Sequence, residues 1–169
     1  MGKIIIAPQN YVKNEDETSI FLAGGITDCE DWQSTVIKYI EDIRDLVIYN
    51  PRRAFFNTAN ALDTVKQIHW EFENLEQMDF FTIYFAESES VQPITLYELG
   101  RNLVRMKERF PDTWKYRILI GIAEGYKRKD DVILQSMLAT GEKLYKTECS
   151  ATKYASEVRS LLLSFPLKK

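Results

Sequence analysis

The chain has 169 residues, 45% of them hydrophobic, with 22 Lys and Arg against 25 Asp and Glu for a net charge of −3. This length and apolar content predict a single domain over 1–169, and the acidic balance offers no diffuse basic surface for a polyanion, so no nucleic-acid partner is expected. No apolar run approaches the ~18 residues of a membrane span, and the few apolar residues after Lys3 are too short for a signal-peptide core, which reads as a cytoplasmic protein without a membrane partner.

Ile4 to Ala7, stopped by Pro8, reads as a short edge strand or lead-in, followed by a polar loop over 9–18. Ser19-Ile20-Phe21-Leu22-Ala23 is a continuous apolar run ending at Gly24-Gly25, the pattern of a strand buried on both faces. Thr27 and Glu30 form an S/T-x-x-E capping box, after which Trp32, Val36, Ile40 and Ile43 recur at helical spacing. Leu46 to Tyr49 is a second strand ended by Asn50-Pro51, and 52–60 reads as a loop and candidate binding segment. Val65, Ile68, Phe72 and Leu75 mark one face of the next helix, and Phe80 to Phe85 is the strongest strand signal in the chain. A helix with Leu96, Leu99, Leu103 and Met106 in register follows, then a strand over 117–122 and two shorter helices around 132–138 and 155–163. Alternation of this kind needs right-handed crossovers and predicts an α/β, flavodoxin-like doubly wound parallel sheet in three α/β/α layers. Ligands in such sheets sit beyond the carboxyl ends of the strands, which here means the loops over 24–31, 50–60 and 86–95.

Several chemistries are excluded by composition. His69 is the only histidine, so a His-rich metal cage or paired-His catalysis is out of reach, and His69-Trp70-Glu71 matches half of a zinc deaminase signature without its P-C-x-x-C half. Cys29 and Cys149 are isolated and read as free thiols. The seven glycines form neither a dinucleotide fingerprint nor a P-loop. What remains is carboxylate chemistry.

Thr95-Leu96-Tyr97-Glu98-Leu99-Gly100 puts a carboxylate in the first turns of the helix after the strongest strand. Thr95 and Glu98 also fit a capping box, which is the structural alternative. Together with Ile20-Phe21-Leu22-Ala23-Gly24-Gly25, and with Trp70-Glu71 followed by Leu75 and Asp79, this segment resembles the nucleoside 2-deoxyribosyltransferase family and its relatives, the deoxynucleotide N-glycoside hydrolases. The resemblance runs from Ser19 to Arg101, about half the chain. It implies that Glu98 is the nucleophile at the anomeric carbon, since a carboxylate can stabilise an oxocarbenium-like state and then form a glycosyl-enzyme ester. It also implies a base-side carboxylate eight residues before Asp79, which is Glu71 where the family usually has Asp; a solvated helix-face glutamate is the alternative. The resemblance also supports Asp79, between helix and strand, as a family position behind these two, with a structural role in capping or orienting the loop favoured over catalysis. Gly24 and Gly25 would let the first loop approach a sugar closely, a role compatible with a tight turn. Trp32 and Phe56 are candidates to stack on a base, with core packing the alternative for Trp32. Arg52 and Arg53 are candidates for a 5′-phosphate or for pairing with Glu98 or Glu71, and a surface pair is the favoured structural alternative. The resemblance implies no cofactor or metal, a small-molecule nucleoside or nucleotide as ligand, and a homo-oligomer, because neighbouring subunits often complete such sites.

Besides Glu71, this chain departs from the family pattern at Phe21, at Gln92, and at Ile94 and Leu96, where glycines often flank the loop. Phe21 stands where many members have a tyrosine that hydrogen-bonds the nucleophile, leaving Tyr97 or Tyr49 as candidates to orient Glu98. Gln92 stands six residues before the nucleophile, where the transferases place a sugar-reading Asp and the monophosphate hydrolases a Ser. A nucleotide-binding or sensing module that kept the fold and lost turnover is therefore the alternative to an enzyme.

Overall fold

Five runs of apolar, largely β-branched or aromatic residues assemble into one sheet, because strands buried on both faces need no polar alternation. The computed structural model describes residues 1–54 and 60–165. Within these, β1 (Lys3–Ile6), β2 (Thr18–Gly24), β3 (Leu46–Asn50), β4 (Phe80–Phe85), β5 (Ile118–Ile122) and β6 (Tyr145–Lys146) form a six-stranded sheet in the order β1-β3-β2-β4-β5-β6. Every pairing is parallel. Apart from β1, which extends the edge beside β3, this is the flavodoxin-like order, with its switch point between β2 and β4. β6 pairs with β5 over two residues and carries no apolar run, so periodicity does not reveal it.

Side-chain alternation along the strands builds a core on each face. Leu46 and Ile48 of β3 pack with Trp32, Val36 and Ile40 of α1 (Trp32–Ile40) and with Tyr154, Val158 and Leu162 of α5 (Ala151–Ser164). Val47 and Tyr49 point the other way, to Trp70 and Leu75 of α2 (Ala61–Gln77), Leu99, Leu103 and Met106 of α3 (Pro93–Arg109) and Val132 of α4 (Lys129–Thr140). No helix among the described residues is long and apolar enough to cross a membrane.

Three local expectations are corrected. α1 is capped by Asp31, whose carboxylate accepts from Ser34 N at 3.0 Å, so the Thr27–Glu30 box is not used. α3 begins at Pro93 with Gln92 as its N-cap, which places Glu98 three positions beyond the one a capping box requires and removes that alternative for Glu98. On α2 the stripe of Val65, Ile68 and Phe72 is exposed, and the buried face is Gln67, Trp70, Asn74 and Leu75. Helical spacing alone does not distinguish an apolar face turned to the sheet from one turned away.

Candidate active site

The strand ends and the helices that follow them enclose a cleft of about 500 Å³, within the range of small-molecule sites. It opens at the carboxyl ends of β2, β3 and β4. β2 contributes Gly24 and Gly25, the loop after β3 contributes Arg53, α2 contributes Gln67 and Glu71, and the start of α3 contributes Gln92 and Glu98. Phe21, Ile26, Ile68 and Ile94 supply apolar wall. Residues 55–59, including the candidate Phe56, lie outside the described residues.

Glu98 and Glu71 face this space from adjacent helices. Both are half-buried. Desolvation first, and the negative charge of Glu71 second, push the Glu98 carboxyl up to about 8, against a smaller opposing pull from Arg101. Glu71 is also raised by desolvation, and the Gln67 amide and the Arg53 guanidinium partly offset this by favouring the ionised form. The helices carrying the pair are tied together away from the cleft. Glu76 of α2 bonds Arg101 and Arg105 of α3, and Arg109 donates to the carbonyls of Glu76 at 2.9 Å, Met78 at 2.8 Å and Gln77 at 3.1 Å. Those carbonyls are the orphan acceptors of a helix C-terminus.

The glycines are dictated by close approach. Gly24 has φ +144°, and a Cβ there would lie 2.3 Å from the Tyr84 carbonyl oxygen of the paired strand. A Cβ on Gly25 would meet the Gln92 amide at 2.5 Å. Gln92 itself is buried with φ +52°, donates from its backbone N–H to Ser90 Oγ at 3.0 Å, and donates from Nε2 to the Ala86 carbonyl at 2.6 Å. Its side chain therefore ties the β4–α3 loop down over Gly25.

Other candidates are placed elsewhere. Asp79 precedes β4 at the opposite end of the sheet, where its carboxylate accepts from Ser19 N at 2.9 Å and Ser19 Oγ at 3.0 Å and pairs with Lys13. Arg52 turns away from the cleft and clamps the β2–α1 loop, donating to Gln33 Oε1 at 2.8 Å and the Glu30 carbonyl at 2.8 Å, beside Asp31. Trp32 is fully buried and donates from Nε1 to the Gly25 carbonyl at 2.9 Å, so it supports the loop from inside the core. Neither Tyr49 nor Tyr97 lines the cleft; Tyr49 is sealed in the core and Tyr97 is exposed. Among the described residues no donor reaches the Glu98 carboxylate. Gln67, by contrast, is a cleft residue that sequence reasoning missed, because a Gln and a Glu four apart on a helix usually mark a solvated face.

No curated protein matches the chain. A family model described as nucleoside 2-deoxyribosyltransferase like matches residues 17–110, a span that holds Gly24, Gly25, Glu71, Gln92 and Glu98. That span covers more than half of the chain, and the protein belongs to the nucleoside 2-deoxyribosyltransferase-like family.

Proposed function

We propose that the protein cleaves or transfers at the N-glycosidic bond of a nucleoside or nucleotide, with Glu98 as nucleophile and Glu71 as the carboxylate on the base side. The observation that carries this reading is the convergence of the two carboxylates from α2 and α3 in one cleft with apolar walls at the switch point of the sheet. An oxocarbenium-like centre between them is stabilised by the anionic oxygen of Glu98, which then closes on the anomeric carbon to give a glycosyl ester. Glu71 supplies the proton that the departing base needs. A second nucleobase over the ester completes a transfer, and water completes a hydrolysis. Gly24, Gly25, Gln92 and Arg53 shape the sugar end of the cleft in this reading.

The family relation also supports a homo-oligomer. Val65, Ile68 and Phe72 on α2 and Ile94 and Tyr97 on α3 are exposed apolar side chains, of which Ile68 and Ile94 also line the cleft, and such residues suit a face covered by a second copy.

One observation favours a binding module without turnover: Phe21 lines the cleft with no hydroxyl to orient Glu98. Incubation with ribo- and deoxyribonucleosides and their 5′-monophosphates, with and without an acceptor base, separates the two readings by chromatography of released base. The enzyme releases base and Glu98→Gln does not. Ligand retention by both proteins with no base released by either would establish the binding module.

A further inference from the structure

Gln67 stands one helical turn before Glu71 on α2, is only 7% exposed, and forms part of the cleft wall. A buried amide has two donor hydrogens and one acceptor oxygen to satisfy. Here Nε2 donates to the Pro51 carbonyl at 3.0 Å and to Glu71 Oε1 at 2.7 Å, so both hydrogens are used. Its own oxygen finds no donor among the described residues. Turning the amide over would set that oxygen against a carbonyl and a carboxylate, three acceptors with no hydrogen between them. The amide therefore has one orientation, fixed by the Pro51 carbonyl, and towards Glu71 it is only a donor.

We propose that Gln67 is the positioning residue of Glu71: by donating to Oε1 it leaves Oε2 as the oxygen that carries the proton and delivers it to the leaving base. This rests on the reading of Glu71 as the base-side carboxylate. A neutral carboxyl whose Oε1 accepts from Gln67 must carry its hydrogen on Oε2. The step then balances. The Glu98 carboxylate forms its bond to the anomeric carbon, the bond from that carbon to the base nitrogen breaks, its electron pair stays on the nitrogen, and the nitrogen takes the proton from Glu71 Oε2. One proton enters the step on the pair of glutamates and leaves with the base. The reactive form of the pair carries its one negative charge on Glu98 and its proton on Glu71, the reverse of the resting arrangement in which the charge of Glu71 holds the proton on Glu98, and the step ends with the charge on Glu71.

The charged groups that act on Glu71 are Arg53 from the loop after β3 and Glu98 from α3. Gln67 adds a donor to the ionised form, so its loss must make Glu71 harder to ionise. Gln67→Met keeps the length of the side chain and removes both donors. Gln67→Asn keeps an amide but cannot span to Glu71, and it serves where the methionine variant does not fold. Glutamate carboxyl ¹³C resonances are titrated in each protein, with Glu71 assigned by the loss of its signal in Glu71→Gln. The expected result is a Glu71 midpoint moved to higher pH by roughly one pH unit. Base release should slow about tenfold or more for bases that leave poorly. It should change less than about twofold for N7-alkylated purines, which depart without protonation. An unmoved midpoint, or equal slowing for both kinds of base, overturns the proposal. Absence of base release from the unmodified protein would instead overturn the enzymatic reading, and the titration would still decide whether Gln67 governs Glu71.

Discussion

Glu71 on α2 and Glu98 on α3 face one cleft, and the charge of Glu71, added to the larger effect of burial, brings the Glu98 carboxyl to about 8. Two carboxylates with poor hydration resist being ionised together, so near neutral pH the pair retains one proton. N-glycoside cleavage with an ester intermediate consumes one proton for each departing base. The electrostatic property of the cleft and the requirement of the reaction therefore coincide in the one proton the pair holds, and the Arg101, Arg105 and Arg109 contacts between α2 and α3 keep the two carboxylates together.

Glu98→Gln should abolish base release and also stabilise the fold. The folded carboxyl titrates near 8 and the unfolded one near 4.5, so the unfolded state ionises first and stability falls as pH rises through that window. The glutamine variant escapes this loss. Its advantage should be absent below pH 4.5, grow up to about 8, and then level off. After allowance for the partial exposure of Glu98, the gain is on the order of 1–3 kcal/mol, readable as a higher midpoint in urea at pH 8 but not at pH 4. A variant no more stable than the parent at pH 8 would show that Glu98 is not strained by its surroundings.

How far the sequence discloses this site depends on the kind of signal each part gives. Strands β2 to β5 are continuous apolar runs, and their alternation with helices fixes a doubly wound sheet, so the loops at the cleft and Glu98 itself can be placed before any coordinates. α2 is harder to read. Its sheet-facing side uses Gln67 and Asn74, whose amides bond to the Pro51 and Trp70 carbonyls, while Val65, Ile68 and Phe72 face outward. Amides beside Trp70 and Leu75 on the buried face, and apolar side chains on the exposed one, depart from the usual pattern. Arg52 and Arg53 are neighbours with identical side chains, and only the turn of the backbone separates a loop clamp from a cleft residue.

Gly25→Ala tests the packing of Gln92 over the first loop. The added Cβ would meet the Gln92 amide at 2.5 Å, and the atoms it meets belong to a movable side chain. Gln92 should give way, break its bond to the Ala86 carbonyl and swing into the cleft. The expected outcome is a folded protein with at least about tenfold weaker nucleoside binding, from a lost hydrogen bond and a blocked cleft. The double variant Gly25→Ala, Gln92→Ala should recover part of that affinity in calorimetry. Gly24→Ala differs, because its Cβ would strike backbone at 2.3 Å from a positive φ, and it should fail to fold.

Asp79→Asn should affect stability and leave catalysis alone. The carboxylate is 3% exposed at the end of the sheet away from the cleft, where it meets Lys13 and the hydroxyl and N–H of Ser19. Removing its charge strands Lys13, itself poorly exposed, at a cost of about 3 kcal/mol. Thermal unfolding should move down while kcat and KM, measured well below the new midpoint, remain within about twofold of the parent values. A selective loss of kcat would return Asp79 to the catalytic machinery.

The two arginines should separate cleanly when nucleosides are compared with their 5′-monophosphates. Arg53 lines the cleft and its guanidinium acts on Glu71, whereas Arg52 is engaged with Gln33, the Glu30 carbonyl and Asp31 on the β2–α1 loop. If the substrate carries a phosphate, Arg53→Ala removes a charge-assisted contact of roughly 1.5–3 kcal/mol, which is about tenfold to a hundredfold in affinity for the monophosphate. The nucleoside should lose far less. Arg53→Ala also withdraws a positive charge from Glu71, so the Glu71 midpoint should move to higher pH whichever substrate is used. Arg52→Ala should weaken both ligands alike, since it frees the loop that carries Gly25 without touching the ligand. Equal losses for nucleoside and monophosphate in Arg53→Ala, with the Glu71 midpoint displaced, would assign Arg53 to the electrostatics of Glu71 alone and identify the substrate as the uncharged nucleoside.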